Sequence, residues 1–438
     1  MKVLIISHNP VSTYQNMGKT FVSLFSKFDK KELCQLYIYP TIPDIDVCDS
    51  YYRITDKDIL KSYWNFGKTA SREIISSEID TTKHEKFENK KDEKLYNRKK
   101  NYFTILIRDI LWKCARYYNN SLVNWLNREK PTCIFLAPGE AKFIYDLAMK
   151  ISNEYNIPII TYICDEFYFV NSPKKILGKI YLFLLQKKIE KLMKKTKAIV
   201  TICDELNRQY SEKFSKSALT IMTGSNYTIS KLIKDNSDVC SITYLGNLAY
   251  KRDESIIEIG QVLDKIKNKY KIDCLLKLYT GKLDEKIVER IKKVKSIKYC
   301  GYVTGKEFEE AFYDSQILLH IESFDLNCID RVKNSISTKI ADSLGSGIPL
   351  LAYGPENIAS ISYLKKNKCA YVITNKKQLE DKLKTLLSDN EIRKKIAKHG
   401  LDVAEKNHQS DKNSIHLYDY IKKIIEKRKN NEVHNTKK

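Results

Sequence analysis

The residue types best suited to chemistry gather in the second half of the chain. In "STKIADSLGSGIPLL", Ser337 to Leu351, two hydroxyls and a lysine open a short helical pattern that Gly345 and Gly347 close before an apolar run. The unpaired N–H groups of a helix start attract anions, and Ser337, Thr338 and Lys339 add donors suited to a phosphate. Asp342, a little over one turn further on, can accept two hydrogen bonds from a vicinal diol such as a ribose. The two glycines need no functional reading, because they stop the helix and turn the chain into a buried strand.

Three other stretches follow predicted strands and can converge on the same place. In "YLGNLAYKRDE", Gly246 permits a tight turn, and Lys251 and Arg252 stand just ahead of a helix as either a phosphate clamp or a solvated basic turn. In "LYTGK", Gly281 and Lys282 are either a further basic contact or a plain turn. In "ILLHIESFD", Glu322 and Asp325 follow an apolar strand. An acid at such a place binds sugar hydroxyls, stabilises developing positive charge, or caps a turn. His320 lies inside the apolar run and reads as a core or strand-end residue.

These positions follow strands because the chain alternates short apolar runs with amphipathic segments, the signature of βα units on parallel sheets. "KVLIIS", "TCIFLAP", "IPIITYIC", "AIVTIC" and "ALTIMTG" supply strands in the first half. "SITYLG", "DCLLKLYTG", "IKYCGYV", "QILLHIES" and "IPLLAYG" supply a second series. A chain of 438 residues exceeds the size of one core, and a polar break at Ser230–Cys240 places a boundary near residue 235. The expected organisation is an α/β chain with a Rossmann-like domain over 1–234, a second over 235–410, and a helix with a polar tail over 411–438. The charged stretch Ser71–Lys100 reads as an exposed insertion or helical excursion. Ligands of such sheets bind at the carboxyl ends of the strands, so the site is expected in a cleft between the two domains.

Net charge is +23, yet only 12 of the 77 basic residues are arginine, which forked recognition of phosphates and bases favours; no nucleic-acid partner is expected. The charge suits an anionic lipid surface or a phosphorylated substrate. Eleven cysteines form no C-x-x-C pair and no repeated Cys/His spacing, which argues against a zinc site or a disulfide framework and for a reducing, cytoplasmic setting. The opening "MKVLIISHNP" lacks a signal-peptide cleavage site. The apolar stretch "IYLFLL" is far short of the roughly 20 residues that cross a bilayer. In "KKILGKIYLFLLQKKIEKLMKK", Leu177, Tyr181, Leu184 and Leu185 come together on a helix flanked by lysines, which either rests on an anionic membrane surface or packs into the core.

On "STKIADSLGSGIPLL", "YLGNLAYKRDE" and "ILLHIESF", the second half resembles the donor-binding half of GT-B glycosyltransferases of the family 4 / group 1 type. Many members of that group build bacterial capsules, exopolysaccharides or lipopolysaccharides. The resemblance covers nearly all of the second domain through motifs and the first through layout. It implies a nucleotide diphosphate sugar, UDP- or GDP-linked, as donor, no cofactor, and a glycan or lipid-linked acceptor. With Gly347 and Pro349 as anchors, the family's acidic ribose ligand falls on Asp342, an Asp in place of Glu. The family's sugar-binding acid falls on Glu322 across an inserted loop, whereas the usual spacing of eight lands on Asn334. Arg252 takes the place of one phosphate cation; Asn247 stands at the other, which a neighbour such as Lys251 or Lys282 would have to supply. Tyr302, in "CGYV", lies where the family holds the nucleobase. In the first domain Gly18 of "NMGKT" corresponds to a glycine loop touching donor and acceptor, and Asp165 of "YICDEFY" to the Asp of a His-Asp pair whose histidine is Cys164 here.

The resulting expectation is a glycosyltransferase at the cytoplasmic face of the plasma membrane that extends a surface glycan with retention of configuration. Positioned cations and N–H groups can stabilise a leaving diphosphate without a metal, and no D-x-D pattern follows a strand of the second half. If the reaction inverts, Asp165 or Glu166 is the candidate base. The alternatives are a nucleotide-sugar epimerase of the same fold and a noncatalytic nucleotide-sugar or glycan-binding subunit.

Overall fold

The apolar runs become parallel strands, half of them buried along their whole length, the burial expected of strands covered on both faces. The computed structural model describes residues 1–13, 16–64, 71–75, 78–79, 101–170, 173, 175–225, 227–233 and 241–435. It divides into two units, one formed by Met1–Thr223 with the chain from Ser410 onward, the other by Gly224–Gln409.

The first unit holds β1 (Val3–Ser7), β2 (Leu33–Tyr37), β3 (Ser50–Arg53), β4 (Arg72–Ile74), β5 (Cys133–Ala137), β6 (Ile159–Ile163), β7 (Thr196–Thr201) and β8 (Ala218–Thr220). Their order in the sheet is β4-β3-β2-β1-β5-β6-β7-β8, and all pair in parallel except β3 with β4. Arg72–Ile74 begins the stretch read as an insertion and is instead this antiparallel edge strand; residues 80–100 lie outside the described ones. The second unit holds β9 (Ser241–Leu245), β10 (Leu275–Tyr279), β11 (Ile297–Gly301), β12 (Ile317–Ile321), β13 (Leu350–Tyr353) and β14 (Tyr371–Ile373). They form an all-parallel sheet in the order β11-β10-β9-β12-β13-β14.

The first boundary falls at 223/224 instead of the expected 234/235, and the second, at 409/410, lies one residue from the expected place. The polar segment before residue 234 is not a linker: Ile229 packs on the core of the second unit, and the Ser230 N–H donates to Gly345 O at 2.8 Å. Gly347 has φ +74°, and a Cβ there would sit 2.2 Å from Leu232 O, so this segment is strapped against the helix Lys339–Gly345 and the turn after it. The helix Ser410–Asn435, expected as a separate tail, belongs to the first unit. It buries Leu417, Ile421 and Ile424 in that core, sets Tyr418 against Phe28 with ring centroids 5.0 Å apart, and donates from Asn413 Nδ2 to Met222 O at 2.8 Å.

The helix Ile176–Lys195 brings Leu177, Tyr181, Leu184 and Leu185 onto one arc, which runs from the buried Tyr181 and Leu185 to the exposed Leu177 and Leu184. Among the described residues no helix is long and apolar enough to cross a membrane.

Candidate functional site

In the second sheet the winding reverses between β9 and β12, so the connections leaving those strands diverge and a crevice opens at their carboxyl ends. A space of about 690 Å³, open to solvent, occupies it. Asn247, Arg252, His320, Ser337, Lys339 and Asp342 are among its lining residues. Thr243 Oγ1, on β9, is buried beside it without a hydrogen-bond partner among the described residues.

The turn after β9 is built differently from the expectation. The Gly246 N–H donates to Tyr279 O at 3.0 Å, continuing the ladder. A Cβ on Gly246 would lie 2.9 Å from Tyr244 Oη and 3.2 Å from Lys339 Nζ, so the glycine serves close approach instead of a tight turn. The left-handed residues are Tyr250 and Lys251, with φ of 58° and 57°, and they aim the helix that begins at Arg252.

Arg252 grips Glu322 from the end of β12. Its Nε donates to Oε2 at 3.1 Å and its Nη2 to Oε1 at 2.9 Å, a two-pronged pair. The Glu322 side chain is 4% exposed, and burial raises its carboxyl above the ordinary range while Arg252 pulls the other way. Burial also opposes the charge on Arg252, but attraction to Glu322 outweighs it and the guanidinium stays protonated. Arg252 Nη1 lies 3.4 Å from Asn247 Oδ1, another pocket-lining side chain. Glu322, expected on the sugar, is here the anchor that orients Arg252.

Lys251 and Asp325 form a separate exposed pair, Nζ to Oδ2 2.6 Å. The hydrogen bond from Lys251 holds the Asp325 carboxyl down at about 2. Asp325 also caps the helix Leu326–Val332, accepting from the N–H groups of Asn327 at 3.0 Å and Cys328 at 3.2 Å. Lys251, Lys282, Tyr302 and Thr338 are not among the pocket's lining residues, and Tyr302 is 74% exposed. The cation that joins Arg252 in the pocket is Lys339.

Two further groups escaped the sequence reading. His320 lines the pocket with Nε2 3.0 Å from Ser360 Oγ. Burial, reinforced by Arg252 and Lys339, lowers it to about 3, so the ring is neutral near pH 7. Its only sequence signal was a polar interruption of an apolar run. Ser225 donates to Asp342 Oδ1 at 3.1 Å and fixes that carboxylate from a segment read as part of the first domain.

In the first unit Gly18 lies in the helix Asn16–Leu24, against Ser12 and Pro10 of the loop after β1. Asp165, exposed at the end of β6, lines a smaller space of about 310 Å³ with Gly139, Tyr162, Cys164 and Tyr210. Glu166 is engaged locally, accepting from the N–H groups of Tyr168 at 2.6 Å and Phe169 at 2.7 Å and from Tyr210 Oη at 3.2 Å. Burial pushes the Cys164 thiol well up, so it cannot replace a histidine as a proton acceptor at neutral pH.

Residues 261–418 match the family model described as glycosyl transferase-like. No curated protein matches the sequence. Among solved structures, the chain is similar to Anabaena HepE in complex with UDP and glucose, at 9% identity and TM-score 0.60, covering 97% of this chain and 100% of that one. It is equally similar to sucrose-phosphate synthase from Thermosynechococcus elongatus, at 9% identity and TM-score 0.59, with 97% and 98% covered. The UDP-forming α,α-trehalose-phosphate synthase from Burkholderia xenovorans, in complex with glucose-6-phosphate, gives 8% identity and TM-score 0.60, with 97% and 100% covered. The chain has the GT-B fold. With the glycosyl transferase-like domain in its second half, it resembles glycosyltransferases. The matched segment carries Glu322 and Ser337 to Asp342 but begins after Arg252.

Proposed function

We propose that this protein is a glycosyltransferase that moves a sugar from a UDP-sugar to a lipid-linked surface glycan at the cytoplasmic face of the membrane, with retention and without a metal. The observation that carries the reading is the convergence of Arg252 and Lys339 on one crevice at the reversal point of the second sheet, with Asp342 on its wall. Negative charge develops on the leaving diphosphate as the glycosidic bond breaks, and fixed cations aimed at that position stabilise it without reorganising. Arg252 is preoriented by Glu322, and Lys339 adds a second charge; together they do the electrostatic work a metal does elsewhere. Asp342, steadied by Ser225, is suited to accept hydrogen bonds from a ribose. The uridine follows the complexes of HepE with UDP and with UDP-glucose and that of the trehalose-6-phosphate protein of E. coli with UDP-2-fluoro glucose. In the first unit Gly18 and Asp165 are assigned to the acceptor side, a role supported by their place after β1 and β6.

Calorimetric titration with UDP, GDP and CMP, and with their sugars, tests the donor. The reading expects UDP to bind and its sugar to be consumed only when a lipid-linked acceptor is added. Absence of binding by every nucleotide overturns it, and conversion of the donor without acceptor identifies an epimerase.

A further inference from the structure

The surface of the first unit carries an apolar face that the donor site does not use. In the helix Tyr102–Cys114, Trp112 is buried and stacks on Phe143 with ring centroids 3.9 Å apart, while Phe103, Ile107 and Ile110 are 58%, 40% and 62% exposed. These three follow a four-and-three spacing and share one outward stripe. The helix Ile176–Lys195 lies beside it, with Tyr181 and Tyr102 at a centroid distance of 5.8 Å. There Ile176, Ile180 and Phe183, 70%, 45% and 57% exposed, form the stripe opposite the buried Leu182, Leu185 and Ile189. Two adjacent helices thus turn their apolar stripes away from the same core.

The charges around the face have one sign. Lys113, Lys179, Lys191 and Lys194 are exposed on these helices. The two acids of the helices are engaged: Asp109 pairs with Lys142, and Glu190 with Lys187 at 3.0 Å. An apolar stripe with outer lysines matches a surface whose interior is hydrocarbon and whose edge is anionic: the apolar tips enter the acyl boundary and the long lysine stems reach back to the headgroups. A like copy of this face would bring lysine against lysine, which disfavours self-association.

We infer that the face formed by the helices Tyr102–Cys114 and Ile176–Lys195 docks the protein on an anionic lipid bilayer. This deepens the proposed function by supplying the membrane on which a lipid-linked acceptor would sit, and it rests on that reading only for the purpose of docking. Vesicle binding is read without donor or acceptor, so the two stand or fall separately.

The test is sedimentation of the full chain with vesicles of phosphatidylglycerol and phosphatidylcholine in equal parts, beside vesicles of phosphatidylcholine alone. Binding to the anionic vesicles is expected, weakening as salt is raised. The double variant Ile110→Glu/Phe183→Glu is expected to lose about tenfold or more in partitioning while keeping the circular dichroism, thermal midpoint and UDP affinity of the wild type. Because both positions are exposed, the variant should fold; Ile110→Ser/Phe183→Ser is the second variant and should show a smaller loss in the same direction. Equal binding by wild type and the glutamate variant overturns the inference, as does failure of the wild type to bind anionic vesicles. A lipid-free dimer that the same variant dissolves overturns it in favour of a second copy of the chain.

Discussion

Two sheets of related winding carry concavities past their carboxyl edges, and their linings have little in common. Past β9 and β12 the walls carry Arg252, Lys339, Asp342 and a neutral His320, with Glu322 buried behind Arg252. Past β5 and β6 the smaller space is walled by Tyr145, Tyr162, Cys164 and Tyr210, and the Tyr162 hydroxyl is buried without a hydrogen-bond partner among the described residues. Asp165 is the charged side chain of that lining, while neighbouring Glu166 is held by loop N–H groups. The larger concavity sits where the winding of its sheet reverses, whereas the smaller one lies one strand away from the reversal between β1 and β5; the side chains that the following loops deliver decide whether each suits an anion or an uncharged ring.

The largest expected effect comes from removing the anchor of the charged lining. Glu322→Ala leaves the largely buried Arg252 guanidinium without its carboxylate partner, and we expect a loss of about 3–5 kcal/mol in the unfolding free energy of the second unit, read by urea titration. A loss under about 1 kcal/mol would mean that solvent screens the pair and that Arg252 is not preoriented. Next is the aromatic lining. Asp165→Asn, which weakens the hold on the acceptor, should lower turnover by about 10²-fold, near 2.7 kcal/mol at the barrier, with UDP affinity unchanged. A raised donor dissociation constant at unaltered turnover would move Asp165 to the donor side and dissolve the contrast.

The effect that vanishes at neutral pH is that of His320. Above about pH 6.5 His320 is neutral whether folded or unfolded and contributes nothing. Below that the unfolded chain takes up a proton which the folded ring, held at about 3 by burial and by Arg252 and Lys339, refuses. Stability therefore falls as pH drops from about 6.5 toward 3, by up to about 1.4 kcal/mol per pH unit from this group. His320→Asn, which can still meet Ser360, should flatten the slope measured by thermal unfolding across that range; an unchanged slope would show that the ring is solvated.

The strands at both pockets were legible in the sequence because a strand covered on both faces reads as a short, continuous apolar run, as in "CIFLA" and "ILLHI". β4 was not, since Arg72–Ile74 is a three-residue edge inside a charged stretch and pairs only with β3. Lys339 and Asp342 could be singled out because one local motif holds both. The partnership of Arg252 with Glu322 could not, because the residues are 70 apart and meet only once β9 and β12 lie side by side. The same holds for Ser225 on Asp342, 117 residues away. Composition misled at the boundary: the stretch from Ser230 looks polar, yet Ile229 and the Ser230 N–H bind it to the second unit.

If Lys339, with Arg252, holds the diphosphate in the pocket of the second sheet, Lys282, which lies outside that lining, should be dispensable for it. Calorimetric titration of UDP into Lys339→Ala and Lys282→Ala tests this most directly, since both lysines are exposed and neither substitution leaves a buried charge. We predict a loss of about tenfold or more, at least roughly 1.4 kcal/mol, for Lys339→Ala and a change within about twofold for Lys282→Ala. Wild-type affinity in Lys339→Ala, or an equal loss in both variants, would contradict the account.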